Sequence, residues 1–303
     1  GGGIPGAPEA PAYRVQEWLP SALPVMIAVP HAGRIYPMSL VAKMRHPEVA
    51  ALKLEDRYID KVALAVARET GANLLIAQAP RAMIDLNRAP TDIDWEMFDK
   101  DSRPNPIDIR PSSRALGGLG LIPRRLPSVG ELWRGSLSDR DLQDRMEGVH
   151  APYHARLSAM LSDLRAQWGA ALLIDLHSMP PLKTGPSHPA AEFVIGDRFG
   201  ASCHGKLVAM ALSQIVNAGR PVAHNRPYAG GYVLDRHARP SDGVHAMQIE
   251  VDRSLYLDAR MAEPAPGLAD VVVVLSRMIR TLAKDVVTLV RDESVKDQLY
   301  GAE

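Results

Sequence analysis

Cysteine is nearly absent. Cys203 stands alone in 303 positions, which excludes an intramolecular disulfide and a cysteine-rich structural zinc site and fits a reducing compartment. Net charge is absent too. The 35 Lys and Arg balance 35 Asp and Glu, so no overall field draws the chain to nucleic acid or an anionic membrane, and a charged partner has to be met locally. No apolar run approaches the roughly 20 residues that span a bilayer, and the opening Gly1-Gly2-Gly3-Ile4-Pro5-Gly6-Ala7-Pro8 lacks the basic and apolar regions of a secretory signal. The expectation is a soluble cytoplasmic protein, with residues 1–15 disordered and the glycine run partly foreign to the natural chain. Internal repeats are missing, as is any composition shift that marks a second folding unit. Residues 16–303 are therefore expected to form one domain, long enough to bury a substantial core.

What is present is a rhythm of short apolar runs that end abruptly in polar residues. Val25 to Val29 precedes Pro30-His31, Leu74 to Ala77 precedes Gln78, Leu172 to Ile174 precedes Asp175, and Phe193 to Ile195 precedes Gly196. Each reads as a buried strand that delivers a loop. Between them lie helical patterns. In Arg57 to Thr70 the residues Ile59, Val62, Ala63 and Val66 share a face and Gly71 follows as a stop. Asp141 to Trp168 reads as a long helix bent near Pro152, and Ser202 to Asn217 and Leu268 to Val290 as two more. This alternation predicts an α/β fold with helices on both faces of a sheet. Over 90–137 the periodicity breaks down among Pro, Gly and Arg residues, and a loop of that length inside a compact chain reads as an insertion at the functional end.

Candidate chemistry gathers at the strand ends, where open α/β sheets bind ligands. Pro30-His31-Ala32-Gly33 follows one strand and Asp175-Leu176-His177-Ser178 another. Imidazole is a common zinc ligand, and a hydrolytic site needs about three protein ligands and an open position. The pattern alone leaves His31 and His177 open between metal ligands and hydrogen-bonded loop residues. Asp56 stands at the start of a helix, where an N-cap accounts for it as well as a ligand does. In Arg81-Ala82-Met83-Ile84-Asp85-Leu86-Asn87-Arg88, Arg88 with Asn87 is suited to gripping a carboxylate, or Arg88 pairs with Asp85. Glu250, in an apolar alternating stretch, reads either as a buried proton carrier or as a solvated edge-strand residue.

Taken together, Pro30-His31-Ala32-Gly33, Glu55-Asp56, Ile84-Asp85-Leu86-Asn87-Arg88, Gly120-Leu121-Ile122-Pro123, Pro152-Tyr153-His154, Asp175-Leu176-His177-Ser178, Gly200-Ala201-Ser202-Cys203, Pro227-Tyr228-Ala229-Gly230-Gly231-Tyr232 and Gln248-Ile249-Glu250 occur in the order found in the N-formylglutamate amidohydrolases. The chain resembles that family over roughly residues 24 to 258. The family is similar in fold to zinc carboxypeptidases and aspartoacylase-like deacylases, so the resemblance implies a three-layer sandwich with a mixed central sheet flanked by helices. It also implies one zinc ion per chain or another divalent metal, with His31 and His177 as histidine ligands, Asp56 as the acidic ligand, Glu250 acting on water and Asn87-Arg88 holding a substrate carboxylate. One departure stands out: those relatives use His-x-x-Glu for two ligands, whereas the third residue after His31 is Arg34. The acidic ligand must then come from elsewhere, and Asp56 matches the motif better than Asp60 or Glu55.

The implied activity is hydrolysis of the amide of a small N-acyl amino acid, foremost N-formyl-L-glutamate to formate and glutamate, a step of amino-acid degradation. Arg124 and Arg125 of the insertion are candidates for stabilising the oxyanion. Two rivals remain, the same chemistry on another N-acyl or peptide-like amide and a non-catalytic binding protein. A covalent mechanism is disfavoured, because His204 takes the last glycine's place in Gly200-Ala201-Ser202-Cys203-His204 and Ser202 reads as a helix N-cap.

Overall fold

The computed structural model describes residues 1–102, 111–127, 129–184 and 189–300. Of the insertion expected over 90–137, residues 103–110 and 128 lie outside the described residues. The strands, in chain order, are β1 (Gly3–Ile4), β2 (Ala7–Pro11), β3 (Tyr13–Gln16), β4 (Val25–Val29), β5 (Asn73–Ala77), β6 (Arg125–Leu126), β7 (Gly130–Glu131), β8 (Ala171–Met179), β9 (Phe193–Gly196), β10 (Val222–His224) and β11 (Val244–Asp252). The helices are α1 (Met38–Lys43), α2 (Pro47–Leu54), α3 (Ile59–Thr70), α4 (Ser113–Leu116), α5 (Asp139–Arg145), α6 (Ala151–Trp168), α7 (Gly205–Asn217), α8 (Tyr232–His237) and α9 (Leu268–Tyr300). The contacts divide the chain into two compact units, one of residues 1–14, 30–57 and 76–156 and the other of 15–29, 58–75 and 157–303.

The second unit carries the core of a seven-stranded sheet of order β10-β9-β11-β8-β4-β5-β3. It is mixed, as expected: β4, β8 and β11 are parallel neighbours, and β9 runs antiparallel to β11. Every residue of β4, β8 and β11 is buried, which is why β4 and the first half of β8 read as continuous apolar runs. Helices α3 and α7 each pack against α9, and all three contact the sheet. Ile59, Val62, Ala63 and Val66 of α3 are buried as the periodicity predicts, and the helix ends at Gly71, whose φ of +80° only glycine adopts readily.

Two strands differ from expectation in a way that matters. The run expected to end at Ile174 continues to Met179, because β8 pairs in parallel with all nine residues of β11. His177 is therefore a strand residue, not a loop residue. Likewise β11 lies between β9 and β8, so Glu250 is on an interior strand and the solvated edge reading falls.

In the first unit, β1 and β2 form an antiparallel pair. This corrects the disorder expected over residues 1–15: Ile4 and Ala12 are fully buried, and Gly6 at φ +87° supplies the turn. The long helix expected from Asp141 begins at Asp139, capped by the Ser138–Asp141 capping box. It is interrupted by a π turn at Met146–His150, so the irregularity precedes Pro152, which then sits in the first turn of α6.

Candidate active site

His31 lies two residues beyond β4, at the end where parallel strands present their ligands. Its loop is held close to residues 78–79 by the bond from Ile35 N–H to the Gln78 carbonyl (3.1 Å). A Cβ at Gly33 would collide with the Ala79 carbonyl, so glycine is required by close approach of two backbones.

The His31 ring is fixed at both nitrogens. Nε2 lies 2.7 Å from Asp85 Oδ1, and Nδ1 lies 3.5 Å from Asp56 Oδ2. Asp85 is almost fully buried and also accepts from Arg81 Nε (2.8 Å) and the Asn87 backbone N–H (2.8 Å). Burial pushes the Asp85 carboxyl up, but the Arg81 guanidinium and the hydrogen-bonded His31 ring overcome it and hold the group well below the usual carboxylate range. An ionised aspartate behind the ring keeps the proton on Nε2 and leaves Nδ1 as the lone-pair donor.

Asp56 is not a helix cap. The residue before α3 is Tyr58, which makes no side-chain cap bond, and Asp56 is 2 % exposed with its N–H bonded to the His31 carbonyl (2.9 Å). Glu55, the weaker alternative, pairs with Arg57 at 3.0 Å, and burial raises its pKa.

In the second unit the β8–β11 register sets Asp175 opposite Gln248 and His177 opposite Glu250. Side chains at i and i+2 of a strand share a face, so these four polar groups form a block near the ends of two parallel strands. His177 Nε2 is 2.8 Å from Asp175 Oδ2, and Gln248 Nε2 donates to Glu250 Oε1 at 2.9 Å. Asp175 is fully buried, and its Oδ1 has no hydrogen-bond partner among the described residues. A buried unsatisfied oxygen costs about 1–3 kcal/mol, a cost that points to the histidine it orients and not to stability.

His31, Asp56 and His177 each offer one ligand atom, and these atoms lie within 4.8 Å of one another. The group can hold a metal ion. At metal–ligand distances near 2.0–2.1 Å, two donors on one tetrahedral ion stand about 3.4 Å apart, which the 3.5 Å from His31 Nδ1 to Asp56 Oδ2 fits. Both imidazoles are backed by aspartates at Nε2, an arrangement that commonly orients metal-binding histidines.

Asn87 is buried, while Arg88 is half-buried and donates from Nε to the Leu119 carbonyl (3.0 Å). The ion pair considered for Arg88 with Asp85 is made by Arg81. Burial, together with nearby Arg81 and Arg114, lowers the Arg88 pKa against the opposing pull of Asp85. Such a crowd of guanidinium groups favours an anion.

The insertion arginines are committed elsewhere. Arg124 binds Asp94 (2.7 Å), Glu131 (2.8 Å) and Glu96 (3.3 Å), and exposed Arg125 donates to the Gly117 carbonyl. Ser202 does not cap α7 as expected: its hydroxyl donates to the Ala246 carbonyl (2.9 Å), and His204 accepts from Lys206 N–H instead. Cys203 is buried and burial pushes its thiol up to about 12, which removes it as a nucleophile at neutral pH.

With this geometry in hand, the model of the N-formylglutamate amidohydrolase family matches residues 23–257. The chain belongs to that family. It is 28 % identical over 279 residues to an N-formylglutamate deformylase of Pseudomonas aeruginosa, covering 89 % of this chain and 95 % of that one. Identity to the Pseudomonas putida N-formylglutamate deformylase is 29 % over 275 residues, covering 86 % and 92 %. Among solved structures, the N-formylglutamate amidohydrolase from Ralstonia eutropha JMP134 superposes with a TM-score of 0.80 at 30 % identity, covering 91 % of this chain and 98 % of that one. No helix among the described residues is long and apolar enough to cross a membrane.

Proposed function

We propose that this amidohydrolase cleaves N-formyl-L-glutamate to formate and L-glutamate, with a metal ion held by His31, Asp56 and His177. The observation that carries the reading is the convergence of those three buried donors, each histidine backed by an aspartate. Zinc suits two imidazoles and a carboxylate, and when bound it would polarise the formyl oxygen and lower the pKa of water.

The remaining work falls to side chains of this chain. Glu250, buried on the strand beside His177, takes the proton of the attacking water as the new C–O bond forms, and returns it to the leaving amine as the amide C–N bond then breaks. Gln248, donating to Glu250 Oε1, orients that carboxylate. Arg88, with Asn87, grips a carboxylate of the substrate and orients the formyl group. Asp85 and Asp175 hold the histidine rings in the tautomer that presents Nδ1.

The test is a metal assay coupled to formate release. The purified protein should carry about one divalent ion per chain and lose activity on chelation. It should regain activity with zinc, and turn over N-formyl-L-glutamate in preference to N-acetyl- and N-formimino-glutamate. Turnover of an N-acetyl or peptide-like amide at a higher kcat/KM would move the substrate assignment while keeping the chemistry. Full activity without metal would end it.

A further inference from the structure

Three side chains of one helical run, Arg145, His150 and His154, are aimed at the backbone of residues 83–88. Arg145 Nη1 donates to the Met83 carbonyl (3.0 Å), His150 Nε2 meets the Arg88 carbonyl (3.0 Å), and His154 Nε2 meets the Leu86 carbonyl (3.0 Å). All three residues are buried, His154 completely. A carbonyl oxygen can only accept, so each imidazole donates from Nε2 and its tautomer is fixed. The π turn at Met146–His150 makes this alignment possible. In an unbroken α-helix residues five apart stand about 140° apart around the axis, whereas the i→i+5 bond of a π turn returns them to the same face. Arg145 and His150 thereby share a face with His154, one further turn along.

The segment they hold carries Asn87 and Arg88. Within it, Asn87 N–H donates to Asp85 Oδ1 and Arg88 N–H to the Asp85 carbonyl (3.2 Å). We infer that His150 and His154 are positioning residues for the carboxylate grip, fixing the backbone on either side of Asn87 so that the Asn87 and Arg88 side chains project at a set angle. This inference rests on the role proposed above for Arg88. Neither histidine needs to touch substrate or metal for it. A π turn costs regular helical bonding and is found frequently at functional sites, and here it is what turns the helix toward the grip.

The experiment compares His154→Met, which fills the space without a donor, with His154→Gln, which keeps an N–H donor. His150→Met reads the other carbonyl if His154→Met fails to fold. For N-formyl-L-glutamate, His154→Met should raise KM by about tenfold or more, the loss of one buried hydrogen bond, with kcat within about threefold. Metal content should stay unchanged, His154→Gln should restore most of the KM, and the penalty should shrink for a substrate whose carboxylates are esterified. In an Arg88→Ala background, His154→Met should add little, because its effect passes through Arg88. Equal behaviour of Met and Gln, an equal penalty on the esterified substrate, or full additivity with Arg88→Ala would overturn the inference. Arg88→Ala alone separates the two failures, since an unchanged KM in that variant would remove the Arg88 role itself and this inference with it.

Discussion

His31 Nε2 lies 2.7 Å from Asp85 Oδ1, which turns the ring so that Nδ1 is the nitrogen facing Asp56. The relationship gives Asp85 a function that its position in the chain, 54 residues away, does not suggest. Asp85→Asn keeps the volume but removes the charge that fixes the tautomer. The variant should lower metal affinity by about 10- to 100-fold, read by competition with a chelating dye. Unchanged affinity would reduce Asp85 to a partner of Arg81.

Asp56, in the loop before α3, and Asp60, in the first turn of α3, are both buried. Because Tyr58 and not Asp56 precedes α3, Asp56→Asn should cost little in helix capping but should deplete bound metal, an amide oxygen being the poorer ligand. Asp60→Asn should retain it. Measuring metal content of both variants checks this, and the reverse order would exchange their roles.

Much of this was legible in the sequence, and the exceptions have physical causes. Buried parallel strand β4 is legible as an apolar run, and it ends where that run ends, which places His31 just beyond the strand. The setting of His177 is harder to read: polar residues at 175 and 177 resemble a loop, although alternation along a strand places both on one face and leaves Leu176 on the other. That same i, i+2 spacing was the available signal for the Asp175–His177 pair. Asp85 and His154 carry no such local mark, since their partners lie 54 and 68 residues away. The N-terminal strands were missed because their sequence, rich in Gly and Pro, has weak strand propensity, and burial of Ile4 and Ala12 holds them instead.

Two buried histidines outside the site set an acid limit on stability. Burial, with Arg236 and Arg239, lowers His237 to about 3, and burial, with His204, lowers His245 to about 4, from an ordinary 6.5. Neither ring nitrogen of His245 has a hydrogen-bond partner among the described residues. The unfolded chain takes up a proton near pH 6.5 and the folded chain only near pH 4 or below, so their contribution is fully present above about 6.5 and is lost as pH falls through that window. His245→Phe should flatten the decline in stability between pH 6.5 and 4 by up to one proton, seen as a smaller shift of the urea midpoint. An unchanged slope would show that His245 is already protonated when folded.

The most direct measurement concerns Glu250. Glu250→Gln fills the same place beside His177 and cannot accept a proton, so metal content and KM for N-formyl-L-glutamate should stay close to those of the unaltered enzyme while kcat falls by about 10²- to 10⁴-fold. Formate release at the original rate, from a variant with full metal, would contradict the assignment and place the proton transfer on another group.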